Sequence, residues 1–206
     1  NGITMPLTDR REYRKKQPFR DATLFVIICE GERREPEYFS FFDRLSSRIK
    51  VKTIPCNKGK SAPNHLLSNA HAASTENALT NKDQLWIVLD KDRWSRKSME
   101  SILQTVRSKP AWNVAMSNPC FEVWLYFHFA KNIPVMTKTS GCKAWKAVTN
   151  QINPGGFDCS HHPVLIETAT FNSINNYKET GYFPNPGSTQ VFKLAEKILP
   201  LVKNYL

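Results

Sequence analysis

Leu85-Trp86-Ile87-Val88-Leu89-Asp90-Lys91-Asp92 runs from five apolar residues straight into a pair of aspartates. A run that short and that apolar reads as a strand buried on both faces. The pattern has a counterpart upstream, where Leu24-Phe25-Val26-Ile27-Ile28-Cys29 leads into Glu30-Gly31-Glu32. Ligands of an open α/β sheet bind beyond the carboxyl ends of its strands. Two neighbouring strands of this kind therefore gather several carboxylates in one crevice. Crowded carboxylates repel one another unless a cation sits between them, so a divalent-metal site is expected.

Strand and helix signals alternate outward from these two runs. Glu35-Pro36 opens a helix, with Tyr38, Phe39, Phe42 and Leu45 at helical spacing. Lys50 to Ile54 is a second strand, followed by a polar loop from Pro55 to Ser61 and a helix from about Ala62 through Ala73. After the Leu85–Leu89 strand come a helix from about Arg96 to Arg107 and a fourth strand at Trp112–Met116. This order predicts an α/β fold: a small, mostly parallel sheet of about four strands between helices. From Lys138 onward the signals are helical, at Lys143–Ile152, at Pro163–Tyr177 and in a final helix capped by Gly187 or Ser188. Residues 1–21 read as a flexible basic arm, and 22–206 as one domain, with a core at about 22–130 and a helical extension at 131–206.

Composition bounds the function. A chain of 206 residues can bury a substantial core without staples. No stretch approaches the ~20 apolar residues of a membrane span, and no signal-peptide pattern is evident. Five scattered cysteines without a Cys-x-x-Cys pair read as reduced thiols of a cytoplasmic protein. The net charge is +11, and the six basic and three acidic residues of the arm account for only part of it. A body that basic, with acids reserved for one site, points to a polyanion such as nucleic acid.

Ser117-Asn118-Pro119-Cys120-Phe121-Glu122-Val123-Trp124-Leu125 follows the fourth strand. Asn118 suits a helix N-cap and Pro119 the first helical position. The helix is apolar on nearly every side and should be buried. Glu122, in its first turn, then needs a base or a metal as partner.

Four segments, taken in order, resemble the RloB-like family: Cys29-Glu30-Gly31-Glu32-Arg33-Arg34-Glu35-Pro36-Glu37-Tyr38-Phe39, Val88-Leu89-Asp90-Lys91-Asp92, the Ser117–Leu125 segment, and Asn185-Pro186-Gly187-Ser188-Thr189-Gln190-Val191. The chain departs from the family pattern at Lys91, where arginine is frequent, and at Arg34, where threonine is. The family in turn is similar to the Toprim fold of topoisomerases, primases and OLD-type nucleases. The resemblance implies a glutamate after the first strand, Glu30, and an Asp-x-Asp after the third, Asp90 and Asp92. Glu122 is the candidate fourth metal ligand, and Glu32 and Glu35 are candidates for a further ligand or an outer-shell contact. It also implies Mg²⁺ or Mn²⁺, a role in bacterial phage defence beside restriction-modification loci, and a partner ATPase of the ABC/SMC-like kind.

Mg²⁺ takes hard oxygen ligands, and two such ions roughly 3.5–4 Å apart can activate water and stabilise a leaving oxygen. Glu30 is alternatively a general acid or base. Lys58, Lys60, Lys91 and Arg93 are candidates for holding a nucleic-acid backbone, and Lys178 for stabilising transition-state charge. Asn57-Lys58-Gly59-Lys60-Ser61 lacks the upstream glycine of a Walker A loop, which excludes an NTPase. Cys159, His161 and His162 lack the paired spacing of structural zinc, and His128 reads as a satisfied core histidine. The expected activity is metal-dependent cleavage of DNA or RNA. The alternative is a non-catalytic nucleotide- or nucleic-acid-binding subunit of a defence complex. An oligomer is compatible with both.

Overall fold

The computed structural model describes residues 22–43, 45–56, 62–135 and 141–206. The basic arm, Lys58 and Lys60 lie outside the described residues. Strand β1 (Thr23–Cys29) leads through helix α1 (Arg34–Ser40) to β2 (Ile49–Pro55), and α2 (Pro63–Asn77) leads to β3 (Gln84–Asp90). Helix α3 (Arg96–Arg107) then leads to β4 (Trp112–Asn118). These four strands are parallel, in the order β2-β1-β3-β4. The two acid-tipped strands are direct neighbours, with Cys29 in register with Val88.

Helices cover both faces, which is why the strands are apolar at consecutive positions. Phe25, Ile27, Cys29, Trp86, Val88 and Ala115 point to one face. Leu24, Val26, Ile28, Leu85, Ile87 and Leu89 point to the other, where Leu66 and Ala70 of α2 and Met99 and Ile102 of α3 meet them. Each large side chain so buried stabilises the fold by about 1.5–3 kcal/mol. The first face is aromatic: Tyr38, Phe39 and Phe42 pack against Phe121 and Trp124.

Helix α1 is shorter than expected from its apolar spacing. It ends at Ser40, and Phe42 and Asp43 close the turn by bonding three residues back, to the carbonyls of Phe39 and Ser40. Asp43 then accepts the Val51 amide at 3.0 Å, which ties the turn to β2. Phe42 remains fully buried without being helical.

The segment after β4 corrects the capping expectation. Asn118 is the last residue of the strand; its side chain donates to the Pro184 carbonyl, and a cis peptide joins it to Pro119. Helix α4 (Glu122–Tyr126) starts four residues later, and the Phe121 amide is satisfied by the Asp90 carboxylate at 2.9 Å. The helix is short and, as expected, buried.

The C-terminal part holds α5 (Cys142–Ile152), a 3-10 turn (His162–Leu165) and α6 (Ile166–Asn176). Strands β5 (Glu179–Thr180) and β6 (Phe183–Pro184) form a hairpin, and β7 (Ser188–Thr189) precedes α7 (Val191–Val202). Gly187 and Ser188 therefore do not cap the last helix. Ser188 and Thr189 instead pair antiparallel with Asn118 and Ser117 and extend the sheet to five strands. Gln190 locks this joint, since its amide donates to the Met116 carbonyl while its side-chain oxygen accepts the Met116 amide. No helix of the described residues is long and apolar enough to cross a membrane.

Candidate metal centre

The carboxyl ends of β1, β3 and β4 converge on one group of acids. Glu30 leaves β1 only 4 % exposed. One of its oxygens accepts the Asp90 amide at 2.8 Å and the other accepts Trp94 Nε1 at 3.1 Å. Arg93 Nη1 stands 3.9 Å from the latter oxygen. Asp90 ends β3, and one of its oxygens caps Phe121 as described. Asp92, two residues on, is exposed; its amide donates to the Pro119 carbonyl at 3.3 Å. Glu122 opens α4 on the same side, half-buried.

Glu35 joins them from the first turn of α1, at 5 % exposure. Its carboxyl lies over Gly31, where a Cβ would fall on it. Any other residue at position 31 would displace it, which is the physical reason for glycine in the turn after β1. Of the ligand and outer-shell alternatives that the sequence leaves for Glu35, the fold favours the first by setting it among the central acids.

The electrostatics follow from burial and crowding. Asp90 is held well above the usual aspartate range by desolvation, then by the charges of Glu35, Glu30, Glu122 and Asp92. Desolvation raises Glu30, against the lowering effect of the Asp90 amide, Trp94 and Arg93. Glu35 is pushed up to about 7, by desolvation first and then by Glu122 and Glu30. Glu30, Glu35 and Asp90 thus share one low-dielectric corner, with Glu122 half-buried and Asp92 exposed beside them. Each oxygen that already accepts a hydrogen bond keeps a second lone pair. A hard oxygen donor set with excess negative charge fits Mg²⁺ or Mn²⁺.

The other candidates fall at varying distances from this centre. Glu32 is exposed. Lys91 is half-buried, with its amide on the Ser117 carbonyl. Arg93, beside Glu30, has a side chain 64 % exposed. Lys178 is exposed, and its amide donates to Ser188 Oγ. His128 is the satisfied core histidine expected: Nδ1 donates to the Trp124 carbonyl, so Nε2 accepts the Tyr38 hydroxyl. Burial lowers it to about 3. Cys159, His161 and His162 form no metal cluster; His161 pairs with Asp158, and Cys159 lies against Arg34.

Three features of the site had no readable signal. Trp94 clamps Glu30 from four residues beyond Asp90, and no motif marks it. A cavity of about 210 Å³ opens beside Glu122, lined by Arg34, Lys146, Asn150 and Phe157. Its cations come from α1 and α5, which only the fold brings together. Cys120 and Cys142 are disulfide-bonded, which corrects the expectation of five free thiols; Cys29, Cys56 and Cys159 are free. The two residues are 22 apart in sequence, too far for a spacing motif.

The family model described as RloB-like protein matches residues 25–198. No curated protein and no solved structure matches the chain. The chain belongs to the RloB-like family.

Proposed function

From that membership and from the acidic centre, we propose that the protein is a Toprim-like, divalent-metal-dependent nuclease of a bacterial anti-phage system. The observation that carries this is the convergence of Glu30, Asp90, Asp92 and Glu122 at the ends of parallel strands, with Glu35 joining from α1 and Asp90 raised by burial and then by its acidic neighbours. Asp90, Asp92 and Glu122, supported by Glu30, would hold Mg²⁺ or Mn²⁺. When bound, the ion supplies a lowered water pKa and a counter-charge for the leaving oxygen. Glu30 fixes the Asp90 backbone and so the direction of the Asp-x-Asp turn. Arg93 and Lys91 stand at the rim, where they hold the phosphate backbone of DNA or RNA. A partner ATPase of the ABC/SMC-like kind supplies the motor, and the pair acts in the cytoplasm.

One observation favours a binding subunit instead: both oxygens of Glu30 already accept protein hydrogen bonds. The test is cleavage of plasmid DNA and total tRNA with Mg²⁺ or Mn²⁺, with and without the partner ATPase, for wild type and D90A/D92A. Metal-dependent cutting that vanishes in the double variant is expected. No cutting by wild type under any of these conditions would overturn the nuclease and leave the binding subunit.

A further inference from the structure

We propose that Asp90, Asp92, Cys120 and Cys142 form a second site, overlapping the acidic centre, for a thiophilic divalent cation such as Zn²⁺, available when the two cysteines are reduced. The ligand atoms of Asp90, Cys120 and Cys142 all lie within 4.8 Å of one another. Asp92 Oδ2 lies 3.4 Å from Cys142 Sγ and supplies the fourth position. Two thiolates and two carboxylates make a set that Zn²⁺ accepts in tetrahedral geometry, whereas Mg²⁺ takes oxygen alone. With Zn–S bonds of about 2.3 Å, two thiolates on one ion stand about 3.8 Å apart. The Cα atoms of Cys120 and Cys142, 5.8 Å apart, already permit that spacing.

The ligands come from three places in the fold: the end of β3, the segment between β4 and α4, and the first residue of α5. Cys120 is fully buried, while Asp92 is exposed and Cys142 half-buried, so the ion enters from the Asp92 side. Opening the site needs a dithiol reductant. The dithiol gives two electrons and two protons to the two sulfurs, breaking their bond and becoming a disulfide itself. The cation then displaces the thiol protons as it binds. Oxidised, the pair offers no thiolate and the site is closed.

The site stands on this geometry alone. Its consequence for activity rests on the proposed nuclease, because Zn²⁺ at Asp90 and Asp92 takes two carboxylates that Mg²⁺ needs. Zinc therefore inhibits the reduced enzyme.

The test is titration of the full chain with Co²⁺, a spectroscopic stand-in for Zn²⁺. Reduced wild type should bind one equivalent and show thiolate-to-cobalt charge-transfer absorption. Oxidised wild type should show none, a comparison that needs no substitution. C142S should weaken Co²⁺ binding by at least about 100-fold, beyond what loss of an outer-shell partner does. Absence of the thiolate band in reduced protein, or an equally strong band in the oxidised protein or in C142S, would overturn the proposal. In the cleavage assay, equimolar Zn²⁺ should cut the rate of reduced wild type at least tenfold and leave C142S unaffected. No Mg²⁺-dependent cutting by zinc-free, reduced wild type would instead count against the nuclease and leave the cobalt result as it stands.

Discussion

The turns after β1 and β3 carry the same acid-x-acid spacing and are put to opposite uses. In Glu30-Gly31-Glu32 the first acid faces inward and is spent on the protein itself, holding the Asp90 amide and Trp94. The second acid of that turn is exposed. In Asp90-Lys91-Asp92 the first acid is shared between capping Phe121 and facing its acidic neighbours, and the second is presented to solvent beside Cys142. The lesson is that one turn builds the site and the other offers it. The role that spacing would give to Glu32 passes to Glu35, which reaches the cluster because Gly31 leaves room for it.

Breaking the presenting turn should have the largest effect. D90A/D92A is expected to lower metal-dependent cutting by about 10³-fold or more, since both charge stabilisation and metal placement go. Single-turnover cleavage measures it, and a loss below tenfold would place the chemistry elsewhere.

The building turn should answer in stability as well as rate. At pH 5, where the folded Glu35 is neutral, G31A swings the carboxyl at the end of this flexible side chain into a strained rotamer, at about 0.5–1.5 kcal/mol, read as a lower midpoint in urea. An unchanged midpoint would mean that Glu35 has room the structure does not show.

E35Q sharpens the contrast through pH. Glu35 ionises at 4.5 when unfolded and at about 7 when folded. Between those values the folded metal-free protein binds more protons than the unfolded chain, so its stability falls as pH rises. By pH 8 the loss from Glu35 alone is about 3 kcal/mol. E35Q removes it, so the variant should be more stable than wild type at pH 8 and little different at pH 4. Unfolding of metal-free protein at the two pH values checks this, and equal destabilisation at both would contradict it.

The smallest effect belongs to E32Q, within about 0.5 kcal/mol in stability as for an ordinary surface position, and with cutting unchanged. A tenfold loss of cutting would erase the distinction between the two turns.

Much of this was legible in the sequence because it depended on local chemistry. Unbroken apolar runs such as Leu85–Leu89 announced strands buried on both faces, and acids at their ends announced the crevice. Burial in the first turn after the fourth strand singled out Glu122, and family resemblance made it the candidate fourth ligand. What stayed hidden depended on pairing across long separations. Gly187 or Ser188 read as a cap because the strand partners of Ser188 and Thr189, Asn118 and Ser117, lie about seventy residues away. The Asn118-Pro119 pair has the composition of a helix start, yet the strand claims Asn118 and an aspartate from β3 serves Phe121. Cys120 and Cys142 meet only because α5 returns to the sheet end.

The most direct test of the metal centre is calorimetric titration of Mn²⁺ into the oxidised protein, where the thiols cannot take part. Wild type and E32Q should bind with the same affinity, and D90A/D92A should show no saturable heat. Equal binding by the double variant would contradict the assignment of the β3 turn as the one that holds the metal.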